Sequence, residues 1–222
     1  MRASWRVSAT IALICTVLTT VAGQAASETD TARAEAVPLR EAITRLAVAD
    51  EVRDGYDHAE FRHWIDADRD GCSTRAEVLL QEANTAPQVA PHCDLSGGRW
   101  YSYYDDTHVD GPQGLDIDHM VPLAEAWDSG AFDWTAQRRQ SYANDLDEPA
   151  ALVAVTARSN RGKADRDPAS WLPPHAPAVC RYVAEWVTVK LRWGLTVDTV
   201  EHDALIAAAA QCPNDPITVR PA

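Results

Sequence analysis

Lysine is nearly missing from this 222-residue chain: of 20 basic residues only Lys163 and Lys190 are lysines. Asp and Glu number 33, so the formal charge is −13, and the chain as a whole repels phosphate backbones at long range. Contact with nucleic acid then requires something local, most simply a bound cation, to reverse the field. Apolar runs are scarce too. Only residues 7–21 form one, and with a mean hydropathy of −0.30 this excludes a multi-span membrane protein. There is no C-x-x-C pair, no H-E-x-x-H, no G-x-S-x-G and no G-K-[ST], so zinc protease, serine hydrolase and P-loop readings have no support. Internal repeats are absent. An apolar content of 46% with 24% charge excludes disorder as the main state and allows a real core.

The run that is present has Arg2 and Arg6 before it and Gly23 and Ala25 at cleavage-site spacing, so residues 1–25 read as a signal peptide. It is too short for a transmembrane helix, which needs about 20 apolar residues. Export to a soluble extracellular state is expected, with no membrane association. Beyond the leader the cysteines are Cys72, Cys93, Cys180 and Cys212. Four in an exported protein imply two disulfides, with three possible connectivities. Cys72–Cys93 and Cys180–Cys212 are expected, because each pair flanks one helix-containing segment.

Residues 26–50 read as a linker with a short helix carrying Leu39, Ile43, Leu46 and Ala47 on one face. Residues 51–213 form the expected domain and 214–222 a tail. Within the domain, helices are expected over Tyr56–Ile65, Thr74–Asn84, Thr135–Asp145, from Ser159, from Val179 to the stop at Gly194, and from Asp198 with Glu201 in a capping box. Strands are expected at Arg99–Asp105, Leu115–Val121 and Ala151–Thr156. This is an α+β pattern. Aromatics at Trp100, Tyr101, Tyr103 and Tyr104 could stack bases, but such alternation more often serves packing and carries no assignment. His58 and His63, five apart, suit neither a helix face nor a zinc pair.

Two constellations carry chemistry. Asp116, Asp118 and His119 precede Asn160 and Lys163 by about forty residues. Phosphodiester hydrolysis needs a base for water and a cation for the phosphate oxygens, and a His beside carboxylate and amide oxygens offers both. The strings DIDHMVPL and NRGKAD resemble the HNH, or ββα-metal, nucleases, and closely the HNH domain of the RNA-guided CRISPR nucleases. From Tyr56 to Cys212 the chain is similar to secreted actinobacterial HNH proteins, related to the C-terminal domain of GmrSD-type restriction enzymes. GYDHAEFRHWIDADRDGC, STRAEVL, RWYS, DIDHMVPLAEAW, NRGKADRDPASWLPP and WVTVKLRWGL carry that similarity.

The resemblance implies a ββα-metal motif embedded in a helix-rich single domain. It implies His119 as general base, Asp118 and Asn160 as ligands of Mg²⁺ or Mn²⁺, and Asp116 as a further ligand or a support behind them. Lys163 faces the phosphate in this reading, and the substrate is DNA, with RNA also possible. The motif's last His is replaced, with Asn160 in its place. In a regular strand residues 118 and 119 point to opposite faces, so both reach one phosphate only near a strand end or a bulge.

The second constellation is Asp66, Asp68, Asp70, Gly71 and Glu77, which fits the Ca²⁺ loop D-x-D-x-D-G-x5-E, with the Cys72 backbone carbonyl as a further ligand. Thr74-x-x-Glu77 also fits a capping box, a purely structural use of Glu77. Arg75 and Arg99 are candidate phosphate contacts against a default of surface ion pairs, and Lys190 and Arg192 stand on the same footing. The competing reading of the whole is a non-catalytic secreted calcium-binding module with a silent HNH remnant. No protein partner is identifiable.

Overall fold

The computed structural model describes Met1 and residues 34–222; the rest of the expected signal peptide lies outside the described residues. Strand β1 (Glu35–Pro38) leads into α1 (Leu39–Thr44), and after a long loop comes α2 (Thr74–Glu82). Two hairpins follow, β2 (Gln88–Ala90) with β3 (Asp94–Ser96) and β4 (Arg99–Ser102) with β5 (Thr107–Asp110). Then come β6 (Leu115–His119), α3 (Leu123–Asp128), α4 (Ala136–Ala143), β7 (Leu152–Thr156) and α5 (Ala157–Lys163). The chain closes with α6 (Val179–Trp193), α7 (Thr199–Ala209) and β8 (Pro216–Val219). The described sheets are two-stranded and antiparallel, and the class is α+β.

Local chemistry explains most boundaries. The Asp198 carboxylate accepts from the Glu201 backbone N–H at 2.7 Å and starts α7, while Gly194 at φ +65° ends α6 in the left-handed conformation a Cβ resists. Ser73, not Thr74, caps α2, accepting from the Ala76 N–H at 3.4 Å. The Thr74 hydroxyl instead bonds the Ile65 carbonyl and Asn144, so the expected capping box does not form in that register. No α-helix forms over 56–65. There is a single 3-10 turn at His58–Glu60, stopped where Phe61 turns extended to bury its ring, and Trp64 sits at φ +55°. The calcium-type loop therefore has a helix on its exit side only.

The short helix expected to carry Leu39, Ile43 and Leu46 forms as α1, with all three buried. Residues 35–38 and 216–219, expected as linker and tail, instead pair as β1 and β8, Val37↔Ile217 among the partners, and Val37 is buried. Burial of that apolar face, at about 25 cal/mol per Å², outweighs the local polarity that suggested a linker. Cys72 is bonded to Cys93 and Cys180 to Cys212, with Cα–Cα distances of 5.0 and 5.4 Å. Among the described residues no helix is long and apolar enough to cross a membrane.

The core gathers Trp100, Tyr104, Tyr182 and Trp186, each fully buried. Lys190 and Arg192 enter it with counter-charges, Lys190 bonding Glu125 and Glu201 and Arg192 holding Asp145, so neither late-helix base is a phosphate contact. Against this core lies β7, whose LVAVT run is buried throughout. Thr156 ends that strand and caps α5 by accepting from the Ser159 N–H at 3.2 Å. Strand and helix thus join without a loop, and Asn160 comes to lie beside β6.

Candidate metal and phosphate site

Strand β6 pairs with β7 in regular register up to His119↔Leu152, and α5 packs on both, giving a ββα unit. His119 is the last residue of β6, so Asp118 and His119 lie at a strand end as the chemistry demanded. They open into a pocket of about 550 Å³ that Asp116 and Asn160 also line. The connection between the two strands carries both α3 and α4.

His119 is 9% exposed. Its Nε2 lies 3.0 Å from the Ala143 carbonyl at the end of α4. A carbonyl only accepts, so Nε2 carries the proton and the lone pair is on Nδ1. Burial pushes the imidazole pKa down to about 3, against the pull of that hydrogen bond, which leaves a neutral ring at physiological pH. Trp64 stacks on the ring at 5.3 Å between centroids. A bulky residue at φ +55° costs about 1–3 kcal/mol and persists only where its surroundings over-determine it. Here Asn144 does so: its Oδ1 accepts from the Ile65 N–H and the Thr74 hydroxyl, and its Nδ2 donates to the Arg62 and Gln140 carbonyls.

Lys163 corrects the sequence reading. It is fully buried and reaches no phosphate. Its Nζ donates to Asp118 Oδ2 at 2.5 Å and to the His119 and Met120 carbonyls at 2.8 Å each. The Tyr104 hydroxyl donates to the same Asp118 oxygen at 2.6 Å. Burial penalises both charges, pushing the Asp118 carboxyl up and the Lys163 ammonium down against their mutual attraction. A NRGK string points outward as readily as inward when only charge is considered. What turns Lys163 inward is the triplet of acceptors at the end of β6.

Asp116 is a third exposed, with Asn160 Nδ2 at 3.4 Å and Arg161 Nε at 3.6 Å. Asp116, Asp118 and Asn160 all line the one pocket, and their side chains carry the kind of oxygen donors a hard cation such as Mg²⁺ prefers. Arg75 reaches the same pocket, donating to the Leu115 carbonyl at 3.0 Å, and its Nη1 is buried without a partner. Arg99 does not: it stands exposed on β4, 3.7 Å from Asp110, in the default surface role. Trp100, Tyr103 and Tyr104 are core residues, closed to base stacking.

Other pocket residues were passed over at the sequence level. His58 and His63 meet edge to face at 4.8 Å because the turn, not a helix, joins them, and both line the pocket. Tyr104 and the Ala143 carbonyl had no sequence signal at all.

In the calcium-type loop, Asp66, Asp68 and Asp70 bring carboxylate oxygens within 4.8 Å of one another, and Asp70 and Glu77 do the same. The Asp66 carboxylate accepts from the Gly71 N–H at 3.1 Å, with Gly71 at φ +98°. Partial burial, then Asp70 and Asp68, raise the Glu77 pKa.

The ββα unit thus brings a buried imidazole, two carboxylates and an amide to one pocket. Residues 61–208 match the family described as GmrSD restriction endonucleases, C-terminal domain, and the chain belongs to that family. An "Uncharacterized secreted protein" of Arthroderma benhamiae (strain ATCC MYA-4681 / CBS 112371) is 41% identical over 160 residues, covering 72% of this chain and 77% of the relative. No solved structure matches the chain.

Proposed function

We propose that this protein is an exported, metal-dependent HNH-type endonuclease that hydrolyses phosphodiester bonds of DNA, and of RNA where it meets it. The observation that carries the reading is His119: a buried neutral base, oriented by the Ala143 carbonyl, in one pocket with Asp116, Asp118 and Asn160. Export is supported by the leader pattern, the two disulfides and the printed name of the relative.

In the proposed mechanism Nδ1 of His119 takes a proton from water while Nε2–H stays on Ala143, the water oxygen bonds to phosphorus, and the P–O bond to the leaving sugar oxygen breaks, that oxygen taking a proton from solvent. A ring of such low proton affinity becomes basic as the anionic substrate arrives beside it. Asp116, Asp118 and Asn160 would hold Mg²⁺ or Mn²⁺, which when bound stabilises charge on the phosphate and leaving oxygens. Lys163 is a positioning residue, fixing the Asp118 carboxylate and the carbonyls that flank His119. Arg75 is the phosphate contact retained from the sequence reading.

The loop 66–77 binds Ca²⁺ in this reading, through Asp66, Asp68, Asp70, the Cys72 carbonyl and Glu77, and serves stability. Plasmid nicking by the purified protein, with and without EDTA, tests the function. Cleavage that EDTA abolishes and Mg²⁺ restores is expected; no cleavage under any divalent cation would refute it.

A further inference from the structure

His58, His63 and Trp64 come from the loop before α2, yet they wall the pocket that holds His119. The Nδ1 of His63 lies 2.9 Å from the Phe61 carbonyl, which can only accept. Nδ1 therefore carries a proton, and Nε2 is the nitrogen with no protein partner among the described residues. The His63 and His119 rings stand 6.3 Å apart at 87°. Both rings therefore line the same part of the pocket.

We propose that His63 is a substrate-binding residue, whose Nε2 takes a non-bridging oxygen of the scissile phosphodiester beside His119, with His58 supporting the ring edge-on. The assignment rests on the nuclease reading for the identity of the substrate. Charge argues for it. The pocket carries Asp116, Asp118 and Asp165 in a chain of net charge −13. Lys163 is spent on Asp118, and Arg161 lies 3.6 Å from Asp116. Arg75 is one fixed cation at this pocket; against three carboxylates a phosphate gains from a second donor, and an imidazole can add a proton as the anion approaches. The bound oxygen then accepts from a protonated Nε2–H, while Nδ1–H stays on Phe61. Packing alone would not require a partly exposed ring with one nitrogen free of protein partners among the described residues. The backbone at Trp64 is already fixed by Asn144 through Ile65.

The test uses the whole exported chain and inorganic phosphate as the probe. Ring ¹H–¹⁵N spectra of the wild type should show His63 Nε2 gaining a proton saturably as phosphate is added. His63→Gln should weaken phosphate binding about tenfold or more, the worth of one charge-assisted hydrogen bond. It should raise KM on plasmid by a similar factor while the melting temperature holds. A His63 resonance indifferent to phosphate in the folded wild type overturns the assignment even if the variant misfolds. So does a His63→Gln variant with wild-type KM on a substrate the wild type cleaves, and in that case the nuclease reading survives. A wild type that binds phosphate through His63 and cuts no nucleic acid supports the His63 site and removes the nuclease reading.

Discussion

Replacing Lys163 with methionine keeps most of the side-chain volume and deletes one ammonium. Three acceptors lose their donor at once: Asp118 Oδ2 and the carbonyls of His119 and Met120. Tyr104 still bonds Asp118, so the carboxylate keeps one partner but loses its counter-charge. Breaking a buried ion pair from one side costs about 3–5 kcal/mol. The orphaned carbonyls add to this, though their cost of about 1–3 kcal/mol each overlaps with it and is not summed in full. For a domain of this size each kcal/mol moves the midpoint by about 2–4 °C, so Lys163→Met should melt about 6–20 °C below wild type. Calorimetry at pH 7 reads this directly. Adding Asp118→Asn to the variant removes the stranded charge and should recover part of the loss, a non-additivity expected of residues in contact. A Lys163→Met protein that melts within about 2 °C of wild type, but binds DNA more weakly as salt rises, would refute the buried pair and return Lys163 to the phosphate.

His119→Ala should keep metal binding and lose cleavage by about 10²–10⁴-fold, the contribution of a general base; calorimetric titration with Mn²⁺ alongside a nicking assay checks both halves. Asn160→Ala should lose cleavage through weakened metal affinity and recover partly at high Mg²⁺ or Mn²⁺, which His119→Ala should not do. Calcium should raise the melting temperature of the wild type but not of Asp68→Ala, and equal shifts in both would leave the loop as an acidic turn. Glu82, whose carboxylate accepts from the Ala154 N–H at 3.0 Å, has its pKa pushed up to about 7 by burial. The fold thus favours its protonated form, and the stability this contributes is complete below its unfolded value of about 4.3 and lost as pH rises through about 7. Denaturant titrations should show Glu82→Gln gaining on wild type between pH 5 and pH 8, by on the order of 2–3 kcal/mol.

Much of the ββα unit was legible because its signals are local. DIDH ends a strand, LVAVT is an apolar run of strand length, and a polar helix follows at once. The disulfides were legible from order along the chain. Segments whose conformation is set by distant partners were not. The loop 56–65 has helical spacing of its aromatics, but Phe61 buries into the core and Asn144, far away in sequence, holds Ile65. Glu35–Pro38 looks like linker until Pro216–Val219 is laid against it. Lys163 shows the same limit at the site: its charge was visible, and the side to which it turned depended on Tyr104, Asp118 and two carbonyls brought together only by folding.

Asn144 uses both lone pairs of its oxygen and both hydrogens of its nitrogen on four different partners, and the next residue back, Ala143, supplies the carbonyl that holds the His119 ring. Conversion of that amide to a carboxylate would set an acceptor against the Arg62 and Gln140 carbonyls, turning two attractions into two repulsions where the aromatic wall and the α4 terminus meet. The orientation of the His119 ring therefore hangs on the chemistry of one side-chain amide that never touches it, as well as on the packing of the core.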